Sequence, residues 1–151
     1  MSGRRVWTIG YQGATQEAVI AALRGAGVAV LADVRALPLS RRPGFSKTSL
    51  AAAAREAGLE YRHFKPLGTP REGRDAARRG DLAGLERVYA SQLQSPDALA
   101  AGAQLRDLVA GRPTALLCFC GDASKCHRSL LHAAVLHGFD RIDLVPVLVG
   151  D

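Results

Sequence analysis

VWTIGYQGATQEAVIAALRGAGVAVLADV, residues 6–34, decides the architecture. Its first five residues read as a short buried strand, and Tyr11, Gln12 and Gly13 form the turn after it. Thr15 is placed to cap a helix in which Val19, Ala22, Leu23 and Ala26 recur at helical spacing, and the Gly25 to Gly27 region stops it. Residues 28–34, VAVLADV, are a nearly continuous apolar run of the kind expected for a strand covered on both faces, with Asp33 as the polar exception. The result is a β-α-β unit. Ligand sites in such units lie beyond the carboxyl ends of the parallel strands, which is where Asp33 and Arg35 fall.

Working outward, residues 36–46, ALPLSRRPGFS, make a long basic loop held by Pro38, Pro43 and Gly44, with Ser40, Arg41 and Phe45 as candidate ligand contacts. Ser46 or Thr48 can cap the next helix, whose apolar face is Leu50, Ala53, Ala54 and Ala57. Residues 59–64, LEYRHF, alternate, which predicts a third strand less deeply buried than the second. Residues 65–80 carry Pro66, Gly68, Pro70 and Gly73 before RDAARRG. They are expected to be a mobile loop, with Arg71, Arg74, Arg78 and Arg79 either forming a lid over an anion or solvated. Asp81 caps a helix lined by Leu82, Leu85, Tyr89 and Leu93, and Ser95 with Pro96 starts another. A last strand is expected over residues 142–149, where Pro146 argues for an edge position or a bulge. About five strands alternating with five helices predict a single α/β domain with a largely parallel sheet flanked by helices.

Composition narrows the classes. A chain of 151 residues with 48% hydrophobic and 23% charged residues suits one soluble globular domain, and at 5% aromatic content alanine and leucine must carry the packing. No apolar run approaches membrane-spanning length and residues 1–10 show no secretory signal, so a cytoplasmic protein with no membrane partner is expected. Three cysteines within nine positions are a local cluster rather than an extracellular disulfide framework. Residues 35–79 hold eleven Lys and Arg against four Asp and Glu, a net +7 in a chain of net +6. Charge concentrated in this way points to an anionic small molecule or nucleic acid as partner.

The cysteines lie in TALLCFCGDASKCHR, residues 114–128. Ala115, Leu116, Leu117 and Phe119 read as a buried run, Cys118 and Cys120 share one face, and Gly121 breaks the strand. Asp122 or Ser124 can cap a following helix lined by Leu130, Leu131, Ala134 and Val135, which places Cys126 in its first turn. That position favours an anion or a thiolate, with Lys125, His127 and Arg128 alongside. Four chemistries compete. The spacing C-x-C-x5-C-H departs from zinc patterns built on C-x2-C pairs, and adjacent Cys126 and His127 would diverge by about 100° on a helix. A redox pair of Cys126 with Cys118 or Cys120 lacks the C-x-x-C spacing. A nucleophilic loop of the phosphatase or sulfurtransferase kind would place its arginine differently.

The reading preferred on sequence is an enzyme acting on a phosphate-bearing or nucleic-acid-related substrate, with no metal and no cofactor. Arg35, Arg41 and Arg128 would bind the anion, Tyr11, Ser40 and Phe45 would line the site, Asp33 and His127 would act as acid and base, and Cys126 would be a thiolate participant or packing. The alternatives are a nucleic-acid-binding module without catalysis and a metal-binding or thiol redox protein.

TIGYQG, DVRALPLSRRPGFSK, YRHFKPLG and LLCFCGDASKCHR, in this order, resemble the domain-of-unknown-function 488 family of bacteria and archaea over nearly the whole chain. The resemblance implies a single α/β domain of no established activity. It carries the family pattern onto Tyr11, Asp33, Arg35, Pro38, Ser40, Phe45, Leu67, Gly68, Cys118, Cys126, His127 and Arg128. Cys120 departs from it, standing where family members often have an acidic residue.

Overall fold

The computed structural model describes residues 4–38, 40 and 42–148. Its elements run in the order β1 (Arg5–Gly10), α1 (Gln16–Gly25), β2 (Val30–Asp33), α2 (Lys47–Glu56), β3 (Glu60–His63), α3 (Arg71–Arg78), α4 (Leu82–Leu93), α5 (Pro96–Gly111), β4 (Thr114–Cys118), α6 (His127–Val135) and β5 (Asp140–Leu144). Short 3-10 turns occupy Lys65–Leu67 and Ala123–Lys125. The five strands form one all-parallel sheet in the order β3-β2-β4-β1-β5. The α/β class expected from the β-α-β reading is the one observed.

Helices cover both faces of the sheet. Alternation along the strands sends Ile9, Leu31, Ala115 and Leu117 to a core shared with Val19 and Leu23 of α1 and Leu50 and Ala54 of α2. Val6, Ala32, Val34 and Leu116 meet Tyr89 of α4, Leu105 of α5 and Leu131 of α6 on the other side. Strand β4 is buried along its whole length because it is central and sandwiched, whereas β3 alternates exposed with half-buried residues at one edge. Strand β5 is the other edge, and Pro146 lies beyond its last residue, where the missing amide breaks no ladder.

The capping residues act as their types dictate. Thr15 Oγ1 accepts the Ala18 amide at 3.1 Å, Asp81 Oδ1 the Gly84 amide at 2.9 Å, and Ser95 Oγ the Ala98 amide at 3.2 Å. Gly27 and Gly58 turn the chain after α1 and α2 with φ of 76° and 83°, a conformation that suits glycine. Among the described residues no helix is long and apolar enough to cross a membrane.

Four expectations are corrected. Residues 65–80 are not a loop, because they contain the 3-10 turn and α3, whose Gly73 and Ala76 are buried. The last strand begins at Asp140 and ends at Leu144, and beyond it Leu148 makes only an isolated antiparallel bridge to Ala14. Phe119 is 48% exposed, since β4 ends at Cys118 and the alternation ends with it. Cys126 precedes α6 instead of lying in its first turn, because Asp122 caps the 3-10 turn over Ala123–Lys125 and the chain then extends at Cys126 (φ −137°, ψ 159°).

Candidate functional site

Strand β4 lies between β1 and β2, so the carboxyl ends of all three open onto one region. Two buried side-chain networks meet there. The first belongs to β2. The Asp33 carboxylate is fully buried and receives the Arg35 guanidinium through two bonds, Nε to Oδ1 at 2.8 Å and Nη2 to Oδ2 at 2.7 Å. Arg35 Nη1 donates to the Phe45 carbonyl at 2.6 Å and to the Tyr11 hydroxyl at 3.2 Å. The Tyr11 ring stacks on Phe45 at 4.3 Å, and the Tyr61 hydroxyl donates to Asp33 Oδ2. Burial opposes the charge of Arg35, but the Asp33 carboxylate outweighs it and the guanidinium pKa rises. Burial, reinforced by the bond to Asp33, pushes the Tyr61 hydroxyl above its usual range as well.

The second network joins β4 to α6. Cys118 and Cys126 are buried, with their sulfurs 2.8 Å apart, and His127 Nδ1 lies 3.6 Å from Cys126 Sγ. His127 Nε2 is 2.8 Å from the Val34 carbonyl. A carbonyl only accepts, so Nε2 carries a proton and Nδ1 is the ring nitrogen that faces Cys126 Sγ. Tyr89 closes the side of the ring in an edge contact at 5.3 Å while its hydroxyl donates to the Leu67 carbonyl at 2.7 Å. Hydrogen bonds from Cys118 and Cys120, with a smaller share from His127, hold the Cys126 thiol well below its usual pKa against the effect of burial. Burial pushes Cys118 up, and for Cys120 the hydrogen bond to Cys126 does so first and burial second. One thiolate flanked by thiols is the favoured state.

Arg128 lies beside this centre and is 1% exposed. Nη1 donates to Thr8 Oγ1 at 3.0 Å and Nη2 to the Cys120 carbonyl at 2.5 Å, while Nε is buried without a partner among the described residues. Thr8 in turn donates to Asp143 at 2.6 Å. Gly10 makes the approach possible, because a Cβ there would stand 1.7 Å from the Cys120 oxygen.

Tyr11, Asp33, Arg35 and Phe45 are thus drawn into one network, and Cys126 and His127 into the other. The Val34 carbonyl, between Asp33 and Arg35 in sequence, links the two. Ser40 is not part of either, since its hydroxyl accepts the Arg42 amide within its own loop at 3.1 Å. Arg41 lies outside the described residues. Sequence reasoning missed Thr8, Gly10, Tyr61 and Tyr89, although Gly10 closes the TIG run and Tyr89 occupies a core position of its helix. It also missed that every nitrogen of Arg35 is bonded inside the protein.

Comparison with curated proteins gives no match, and comparison with solved structures gives none either. The family model described as "Domain of unknown function DUF488" matches residues 15–135, from the cap of α1 to the end of α6. That span holds Asp33, Arg35 and the whole of the cysteine–histidine centre, and leaves out β1 with Tyr11. With most of its length matched, the chain belongs to the DUF488 family.

Proposed function

We propose that the protein is a thiol enzyme that reduces a disulfide substrate at the Cys118–Cys126 pair. The observation that carries this reading is the 2.8 Å separation of the two sulfurs. Cys126 Sγ, the thiolate of the centre, attacks one substrate sulfur. The substrate disulfide breaks, one half leaves as a thiolate, and a mixed disulfide forms on Cys126. Cys118 Sγ then attacks Cys126 Sγ, and its proton leaves with the second half, which departs as a thiol. Two electrons pass to the substrate and the protein is left with one disulfide, which a cellular dithiol must reduce before the next cycle.

Reaction with a chromogenic aromatic disulfide tests this on metal-free, reduced protein carrying Cys120→Ser. Two thiols released per chain, and a peptide cross-link between Cys118 and Cys126, are expected. In the further variant Cys118→Ser a trapped mixed disulfide and one released thiol are expected. Independent alkylation of both sulfurs under oxidising glutathione would sink the proposal.

A second reading, an enzyme or binding module for a phosphate-bearing or nucleic-acid partner, is favoured by the exposed Arg71 and Arg78 of α3 and Arg79 at its C-cap, within the +7 segment. The saturation of Arg35 weighs against its part in anion binding. A thermal-shift screen against nucleotides, nucleic acids and phosphorylated metabolites separates the cases. Stabilisation lost at moderate salt marks a polyanion, stabilisation that persists marks a small ligand, and no shift removes the reading.

A further inference from the structure

We propose that the reduced centre binds zinc through Cys118 Sγ, Cys126 Sγ and His127 Nδ1. The inference goes beyond the dithiol reading and needs only that the thiols be reduced.

One ligand atom from each of the three residues, a sulfur from each cysteine and a ring nitrogen from the histidine, lies within 4.8 Å of the others, and all three residues are buried. Soft thiolates with an imidazole are the donor set that selects zinc among common divalent cations. With bond lengths of about 2.3 Å to sulfur and about 2.0 Å to nitrogen, a tetrahedral ion holds a sulfur and a nitrogen roughly 3.5 Å apart. Cys126 Sγ and His127 Nδ1 already stand at 3.6 Å. Two zinc-bound sulfurs sit about 3.7 Å apart, so the 2.8 Å pair must open by about 1 Å to admit the ion.

The imidazole is also prepared as a ligand. Its Nε2–H is held by the Val34 carbonyl at 2.8 Å, the outer-shell bond that fixes the tautomer and ring orientation of a metal-binding histidine. The divergence of about 100° that set adjacent Cys126 and His127 apart on sequence grounds applies within a helix. Cys126 is extended and outside α6, and so the two side chains converge.

Charge permits the ion. Arg128 is buried beside the sulfurs, and two thiolates cancel the dication before that cation is counted. The remaining positive charge favours an anionic ligand, such as a thiolate or hydroxide, at the fourth position.

The test uses the full chain, reduced, stripped of metal, and titrated with Zn²⁺ against a colorimetric chelator and with Co²⁺ as an optical probe. The expected result is one ion per chain, with a sulfur-to-cobalt charge-transfer band and the visible bands of a tetrahedral site. Cys126→Ser and His127→Ala should each bind at least about tenfold more weakly, while His137→Ala, outside the cluster, should match the parent. The cobalt spectrum of the unaltered chain decides the matter even if a variant fails to fold. Absence of a cobalt–thiolate band, or an undiminished affinity in folded Cys126→Ser, overturns the proposal. Disulfide exchange is scored separately on metal-free protein, so failure of zinc binding and failure of the dithiol reading give different results.

Discussion

At the scale of single residues, the structure resolves how Asp33 and Arg35 are used. Both stand out in the sequence as charges at the end of an apolar strand, and that alone does not say whether they face a ligand or each other. The bidentate pair, the Tyr11 and Phe45 bonds and the Tyr61 hydroxyl show them saturating each other inside the protein. Two neighbours spaced i, i+2 meet in this way because the Arg35 amide also bonds Asp33 Oδ1, at 3.1 Å, folding the chain back on the carboxylate as the strand ends. Removing one partner leaves the other charge buried, so Asp33→Asn should cost about 3–5 kcal/mol, measured by urea unfolding at neutral pH. A loss under about 1 kcal/mol would mean that Arg35 finds another partner or reaches water. Tyr61 gives the pH dependence. Its folded pKa lies above the unfolded value of about 10, so its contribution is complete below about pH 10 and is lost as pH rises through the folded value. Tyr61→Phe should therefore lose less stability than the parent between neutral and strongly alkaline pH. Equal slopes would show that the hydroxyl titrates normally.

At the scale of elements, capping signals were legible and tertiary contacts were not. Thr15, Ser46, Asp81 and Ser95 announce their helices in the sequence, and each accepts the amide three residues on. Helix α3 is different. Its eight residues, REGRDAAR, offer almost no apolar stripe, and Pro70 and Gly73 read as turn residues. Pro70 instead sits at the N-cap, and Gly73 is the close contact that seats the helix. A Cβ on Gly73 would stand 2.6 Å from Thr69 Cγ2 and 3.3 Å from Val88 on α4. Helix formation here is bought by packing and not by propensity. Gly73→Leu should accordingly destabilise the protein by about 1–3 kcal/mol despite its better helix propensity, and should open the peptide bonds of α3 to limited proteolysis. If the variant were more stable than the parent, the contact with α4 would not be what holds α3. The same limit explains Cys126. Sequence places it near a helix start, but one residue separates a position inside the first turn from an extended one before it, and that residue decides whether its sulfur meets His127.

At the scale of the whole molecule, the α/β class follows from strands and helices in alternation, but strand order does not. Nothing in residues 114–118 says that the fourth strand inserts between the first two. That insertion brings the ends of β1, β2 and β4 together and places Cys118 beside the Val34 carbonyl that orients His127. It also makes β4 the central strand of the sheet, as fully buried as its neighbour β2. All five of its residues are buried, and it is paired on both edges, with β1 through Gly10↔Cys118 and with β2 through Asp33↔Leu117. Strands β3 and β5 have one free edge each and expose part of their side chains. Amides exchange through local openings where burial is thin and only through global unfolding where it is complete. Native-state hydrogen exchange should therefore find the β4 amides slowest, at the free energy of global unfolding, with β3 and β5 opening at lower cost. Leu116 and Leu117 face opposite cores, so truncating either to alanine should cost about 2–5 kcal/mol and speed β4 exchange by the same free energy, because the two cores share the strand and open together. Exchange of β4 at the rate of β5, or loss of one core without the other in Leu116→Ala, would show two separately folding layers. In that case the sulfur centre would sit on a hinge rather than on the most rigid strand of the sheet.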